Sequence, residues 1–323
     1  MATRDSDQIP QQLEDLDFLE WLKTHLEQGP GKAEFMAPSV LEGYLKDTKR
    51  TKDLLRAITP PGKPAIDADA VRQDYSALFA ILAICGKPGY IEFCTAYSSL
   101  SDKHLPFENK PQHLPDNVWL KLSEEQWRFC APTFDGRPFR KLHQNTVLPF
   151  LSKDLIAQGG SADVFCVQIH PDFDKTSAQG GVQRSVSLNV DLEDLATNVP
   201  RQPTNTYALK TFHSADGRAR RLYTAEVDAF RHFKSSLALR PENHIIAFHG
   251  SYEHGDTLNI LLEHADHGTL ENYFQNYHPP ACGLDLVRFW KTLFGLLDAA
   301  ETLHEIPRSE DLAETWNAPI FKG

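Results

Sequence analysis

Apolar residues in the first 150 positions recur at the spacing of α-helices. Leucines follow one another at three- or four-residue intervals from Leu16 to Leu26, and Gly29 and Pro30 end the pattern as they do after a helix. A second apolar run, from about Val71 to Cys85, predicts another helix. The stretch that follows mixes aromatic residues with turn signals and indicates no chemistry. We therefore expect residues 1–150 to form a mainly helical N-terminal region of unassigned role.

From residue 151 onward the pattern changes to short runs typical of strands. Strands are predicted at Asp163–His170, at Tyr207–His213 and, as two strands joined by a turn, within residues 245–265. The polar segment at about 172–206 is interrupted by glycines and prolines and predicts a loop. Helical spacing returns at Leu222–Phe233, around Thr269–Tyr277 and over Asp285–His304. Residues 151–323 are thus expected to form a second domain.

Composition is that of an ordinary globular protein, and it narrows the classes of partner. The formal net charge of −11 disfavours nucleic-acid binding, which needs a basic face. The longest apolar run, Ala77–Cys85, is far shorter than the roughly 20 residues that cross a bilayer. The polar N-terminus carries no signal-peptide pattern, so we expect a cytoplasmic or nuclear location. Five scattered cysteines predict free thiols, and the 14 histidines show no metal-binding spacing, so no metal site is predicted.

One lysine, Lys210, lies among apolar residues in the strand-like segment Tyr207–Phe212. Such a lysine is either an ordinary charge on an edge strand or a cation directed at a phosphate. A strand, a glycine-containing turn and another strand precede it, and a helix with Glu226 and two further strands follow it. This order resembles the small lobe of the protein kinase family, and the resemblance covers about Leu151–His304.

The resemblance implies an α+β fold: a kinase-like small lobe, made of an antiparallel sheet and one helix, followed by the first helices of the large lobe. The family transfers the γ-phosphoryl group of ATP to hydroxyl groups of proteins, and the residues expected here are Ser or Thr. ATP is therefore the implied ligand. Mg²⁺ is expected only in a complete kinase.

The first matching motif is the family's G-x-G-x-x-G-x-V loop. With Val164 at the valine position, Ala157, Gly159 and Ala162 take the three glycine positions, so only the middle glycine is present. Glycines there let backbone N–H groups approach the phosphates closely. The alternative interpretation is a glycine-containing hairpin turn with no ligand.

The second match is the segment Tyr207–Lys210, which resembles the family's V-A-I-K strand. The resemblance places Ala208 against the adenine and directs Lys210 to the α- and β-phosphates. Glu226 lies on the following helix, where the family carries the carboxylate that pairs with this lysine. The alternative is that both residues are solvent-facing charges.

The third match, Thr257–Phe274, resembles the family's fifth strand, hinge and following helix. It implies Leu262 as the gatekeeper, and Glu263 and Ala265 as hinge residues that bind the adenine through their main chain. Gly268 would form the turn before the helix. The simpler alternative is a strand followed by a helix whose N-cap is Thr269.

In the family, H-R-D-x-x-x-x-N and D-F-G motifs follow the large-lobe helix and supply the catalytic base and the magnesium ligands. The segment after His304 contains neither motif. We therefore expect weak ATP binding without phosphoryl transfer by this chain. A shortened form of a longer kinase and a non-catalytic, pseudokinase-like interaction module both remain open.

The helix predicted at residues 285–304 is apolar over a broad stripe that includes Phe289 and Trp290. In the family such a helix packs against later segments of the large lobe. An apolar stripe without a partner marks an interface. We expect self-association through this helix, a protein partner, or docking on the N-terminal region.

Overall fold

A computed structural model of the chain describes residues 17–112, 114–176, 205–213, 217–237, 246–265, 271, 274–275, 280 and 282–305. The chain forms two compact units. The first is drawn from residues 1–133, 143–152 and 169–174, and the second from residues 134–142, 153–168 and 175–323. Each unit is therefore built from three separate segments of the chain. The sequence analysis predicted a single boundary between two domains at residue 150.

The first unit is mainly helical. Its helices are α1 (Phe18–Thr24), α2 (Pro38–Leu45), α3 (Thr48–Ile58), α4 (Ala68–Asp74), α5 (Ser76–Ile84), α6 (Ile91–Cys94) and α7 (Asp116–Glu125). Strands β1 (Glu27–Gln28) and β2 (Glu34–Phe35) form a small antiparallel sheet. Helix α5 lies at the centre of the core, with every residue from Leu78 to Ala83 buried.

The helix predicted over Val71–Cys85 is two helices, α4 and α5, separated at Tyr75. The carboxylate of Asp102 accepts hydrogen bonds from the N–H groups of Ala77 and Leu78, each at 2.9 Å. It thereby caps the start of α5, where the N-cap residue Tyr75 makes no side-chain capping hydrogen bond. Burial raises the pKa of Asp102, although the hydrogen bonds to its carboxylate act in the opposite direction.

A six-stranded sheet and two helices make up most of the second unit. The strands are β3 (Arg140–Leu142), β4 (Phe150–Gln158), β5 (Ala162–Ile169), β6 (Thr206–His213), β7 (Phe248–His254) and β8 (Thr257–Glu263). Their order in the sheet is β3-β7-β8-β6-β5-β4. The helices are α8 (Gly217–Leu237) and α9 (Gly283–Glu305).

The sheet is mixed, which corrects the expectation of an antiparallel sheet. Strand β6 pairs antiparallel with both β5 and β8, and β7 pairs antiparallel with β8. Strand β3, however, runs parallel to β7, with Lys141 opposite Glu253. A hairpin forces antiparallel pairing, but a long connection leaves the direction free, and about a hundred residues separate β3 from β7.

The predicted strands after residue 162 are all present, and the helices predicted at Leu222–Phe233 and Asp285–His304 lie within α8 and α9. The loop predicted at 172–206 falls mainly on residues outside the described ranges. Its first residues belong to the short 3-10 helix Pro171–Phe173, and Thr206 begins β6. The helix predicted around Thr269–Tyr277 also lies largely outside the described residues. Among the helices that the structure describes, none is both long and apolar enough to cross a membrane.

Candidate functional site

Lys210 lies in the middle of the sheet, on β6. It is opposite Val164 on β5 and Ile260 on β8. Because directly opposed residues project to the same side of a sheet, these three side chains share one face. Burial along β6 alternates accordingly, since Lys210 is half-buried while Leu209 and Thr211 on the other face are buried.

The row next to Lys210 contains Ala208, which the resemblance places against the adenine, and Leu262, the predicted gatekeeper. Ala208 is opposite Cys166 on β5 and Leu262 on β8, so all three lie on the Lys210 face. Each of them is only partly buried. The structure thus brings Ala208, Leu262, Val164 and Lys210 together on one surface of the sheet.

Helix α8 crosses this face at the end beyond Lys210. Its side chains Tyr223 and Val227 are fully buried, and they pack in one cluster with Ala162, Phe212, Leu258 and Ile260. Glu226 lies between Tyr223 and Val227 along the helix and is partly buried. It therefore lies at the boundary between this buried cluster and the exposed part of the Lys210 face.

The Nζ atom of Lys210 lies 2.6 Å from Oε2 of Glu226. The two side chains are 29% and 27% exposed, so the ion pair is largely shielded but still reachable from solvent. A charge-assisted hydrogen bond of this length fixes the direction of a side chain that is otherwise flexible. The pairing predicted from the resemblance is present, and the alternative of two solvent-facing charges is wrong.

Two aromatic residues beside the ion pair were missed by sequence reasoning. The Nζ of Lys210 is 5.2 Å from the centre of the Phe212 ring, within the range of a cation–π contact. The Phe212 ring in turn meets the Tyr223 ring edge-on, with centres 6.1 Å apart. The signals were available, because Phe212 follows Lys210 by two residues in a strand and Tyr223 precedes Glu226 by one helical turn.

The turn between β4 and β5 contains the glycine-loop positions. The N–H of Gly159 donates a 3.0 Å hydrogen bond to the carbonyl of Ala162. A Cβ atom at position 159 would lie 2.9 Å from that carbonyl oxygen, so the turn favours glycine there. Ala157 and Gly159 are exposed, whereas Ala162 is buried in the core under α8. The third glycine position of the family is therefore a packing position in this chain.

The segment after β8 contains the hinge positions. The N–H of Glu263 donates to the carbonyl of Ala247 at 2.8 Å, and the Glu263 carboxylate accepts from the Ala247 N–H at 2.9 Å. The N–H of Glu263 is thus engaged, and a ligand would need other main-chain groups here. Ala265 is exposed at the end of the described segment, and Gly268 and Thr269 lie outside it.

No group of three or more His, Cys, Asp or Glu side chains among the described residues is arranged to hold a metal ion. The arrangement therefore offers a fixed cation, a partly apolar surface and a tight turn.

No protein-family model matches this chain, and no curated protein is recognisably similar to it.

Proposed function

We propose that the second unit binds ATP on the Lys210 face of the sheet, in the manner of a protein kinase small lobe. The observation that carries the proposal is the 2.6 Å ion pair between Lys210 and Glu226. A lysine held by a carboxylate at the border of a partly open face is suited to contact phosphate oxygens. The ion pair keeps that cation in place before the ligand arrives.

The surface beside Lys210 fits a flat, mainly apolar group. Ala208, Val164, Leu262 and Cys166 share the face and are partly exposed. Small and aliphatic side chains of this kind make room for a base and contact it through dispersion forces. Adenine would lie here, with its phosphates toward Lys210 and the turn at Gly159.

Binding is the extent of the proposed function for this chain. A positioned base contributes about 10² to 10⁴-fold to a reaction rate, and metal clamping of phosphates contributes several kcal/mol more. Residues 305–323 contain no H-R-D-x-x-x-x-N or D-F-G motif. We therefore expect ATP binding without transfer of the γ-phosphoryl group.

A second candidate function is a non-catalytic interaction module. It is favoured by helix α9, on which Leu284, Phe294 and Leu297 are 74%, 56% and 62% exposed. Large apolar side chains at such exposure are typical of surfaces that bind other proteins. The two functions are compatible, since α9 and the Lys210 face are different parts of the chain.

The experiment that tests ATP binding compares two lysines of the same sheet. Lys210→Met removes the cation from the proposed site. Lys153→Met is the matched control, because the Nζ of Lys153 lies 4.2 Å from the Phe165 ring and Phe165 belongs to the opposite face. We expect Lys210→Met to weaken ATP binding by about tenfold or more, corresponding to ~1.4 kcal/mol, and Lys153→Met to leave it within twofold.

Equal ATP affinity of wild type and Lys210→Met would contradict the proposal, as would a wild-type chain that binds no ATP at millimolar concentration. A phosphoryl-transfer assay with a general protein substrate is run beside it. Metal-dependent transfer that Lys210→Met abolishes would show that the chain is catalytic after all.

A further inference from the structure

The segment of residues 134–142, here called the strap, lies against both β7 and α8. The carbonyl of Arg137 accepts a 3.3 Å hydrogen bond from the N–H of Ser251, and the N–H of Phe139 donates a 2.9 Å bond to the Ser251 hydroxyl. Residues 140–142 then pair with β7 as strand β3. The strap is thus fixed to the sheet on both sides of Phe139.

Gly250 allows the backbone of the strap to approach β7 closely. It has a φ of +131°, which side-chain-bearing residues rarely adopt, and a Cβ atom there would lie 3.1 Å from the carbonyl oxygen of Arg137. The pairing register of β7 also shifts between Phe248 and Gly250. The irregularity in β7 therefore lies at the point where the strap contacts this strand.

Phe139 is the residue of the strap that contacts α8. Its φ of +55° is unfavourable for a residue with a Cβ atom, so its surroundings must hold it there. Its ring meets the Tyr223 ring edge-on at 5.9 Å, and the Arg231 guanidinium lies 5.8 Å from its centre. Phe139 thus touches the helix both before and after Glu226.

A series of aromatic contacts connects Phe139 to the proposed phosphate site. Phe139 contacts Tyr223, Tyr223 contacts Phe212, and the Phe212 ring lies 5.2 Å from the Nζ of Lys210. The rotation of α8 that brings Glu226 to Lys210 is the same rotation that brings Tyr223 between the two phenylalanines. A change at either ring is therefore expected to shift Glu226.

We propose that Phe139 is a positioning residue, through which the strap holds α8 in the orientation that pairs Glu226 with Lys210. The proposal rests on the proposed ATP site, because the consequence of the pairing is the affinity for ATP. It adds that this affinity depends on a segment outside the part of the chain that resembles a kinase. Displacing the strap would separate the ion pair and weaken nucleotide binding without unfolding the sheet.

The test substitutes Phe139→Ala and uses Tyr97→Ala as the control, since both are aromatic residues that are 38% exposed and Tyr97 belongs to the first unit. We expect Phe139→Ala to weaken ATP binding by at least about fivefold and the control to leave it unchanged. In a Glu226→Gln background, Phe139→Ala should have less than twofold effect, because the pair through which it acts is already broken. An effect of equal size in both backgrounds would overturn the proposal.

A second measurement needs no nucleotide. Hydrogen–deuterium exchange of the α8 peptides should rise by at least about fivefold in Phe139→Ala, while β8 exchanges as in wild type. Unchanged α8 exchange overturns the positioning role even if ATP binding is altered. A wild-type chain that binds no ATP refutes the proposed function alone, since exchange still decides the role of Phe139. If Phe139→Ala does not fold, Phe139→Leu is compared in the same two measurements and decides the outcome.

Discussion

The hydroxyl of Thr211 donates a 2.9 Å hydrogen bond to the side-chain oxygen of Asn259, and both side chains are buried. Thr211 is the chain neighbour of Lys210 but projects to the other face of the sheet, directly opposite Asn259 on β8. The amide of Asn259 donates further to the hydroxyl of Thr257 at 2.9 Å. Strand β6 presents Lys210 on one face of the sheet. On the opposite face, the hydrogen bond between Thr211 and Asn259 links β6 to β8.

Replacing Thr211 by Val should lower the free energy of unfolding by about 1–3 kcal/mol, because it leaves the buried Asn259 oxygen without its donor. The double variant Thr211→Val with Asn259→Leu should recover part of this loss, since both partners are then apolar. Urea denaturation measures wild type, the two single variants Thr211→Val and Asn259→Leu, and the double variant. A double variant that is less stable than the sum of the two single changes would contradict this account.

Gly159→Ala should destabilise the β4–β5 turn by about 1 kcal/mol, because the added Cβ would lie 2.9 Å from the Ala162 carbonyl oxygen. Gly160→Ala is the matched control, since no atom lies within 4 Å of a Cβ at that position. Thermal unfolding distinguishes the two. Equal stability of both variants would show that the turn tolerates a side chain at either position.

Cys166 should report ATP binding through its reactivity. It lies on the Lys210 face, and burial raises the pKa of its thiol, so alkylation needs mildly alkaline pH. ATP at ten times its Kd should slow alkylation of Cys166 by about tenfold. The exposed Cys282 serves as the internal control and should react at one rate throughout. Mass spectrometry reads both sites, and equal rates at Cys166 with and without ATP would argue against the site.

The ion pair between Arg220 on α8 and Glu253 on β7 should make stability depend on acid pH. Hydrogen bonds of 2.6 and 3.2 Å from Arg220 hold the pKa of Glu253 below its ordinary value of 4.5. Because the folded pKa is the lower one, the stabilisation is present above pH 4.5 and is lost as the pH falls through the folded pKa. Arg220→Gln should therefore be less stable than wild type at pH 7, and the difference should shrink at acid pH. Arg56→Gln, which removes an exposed helix pair, should show little difference at either pH.

Helix α9 carries the predicted self-association. Trp290 and Phe294 are 49% and 56% exposed on it. We expect the chain to associate with increasing concentration, and Trp290→Glu or Phe294→Glu to favour the monomer by placing a charge in the apolar stripe. Lys291→Gln on the same helix is the control. Sedimentation velocity that finds the wild type monomeric at all concentrations would contradict the expectation.

Local patterns predicted much of the second unit. Short strand-like runs located β5 to β8, and the resemblance to the kinase small lobe implied an ion pair between Lys210 and Glu226 that the structure contains. In β6 the burial of successive side chains alternates, whereas β7 and β8 contain runs of consecutive buried residues, and both patterns lie within the short strand-like runs of the sequence.

The features that were missed depend on contacts between distant residues. The three residues of β3, Arg-Lys-Leu, have no alternation of their own, and their pairing depends on β7 more than a hundred positions away. The break at Tyr75 depends on capping of α5 by Asp102. Likewise, Ala162 resembles a loop residue by motif but is buried under α8. The local pattern of apolar and polar residues contains no information on such long-range contacts.

Strand β3 also bears on where a fragment that contains the sheet should begin. It pairs with residues 252–254 of β7, whose outer backbone groups would otherwise be open to pairing with a strand of another molecule. At the opposite margin, β4 carries the exposed charges Lys153 and Asp154, which discourage such pairing. A fragment that began at residue 151, where the sequence pattern changes, would lose β3 and present β7 to its neighbours. We expect such a fragment to self-associate through β7 more readily than a fragment that begins at Phe134 or earlier.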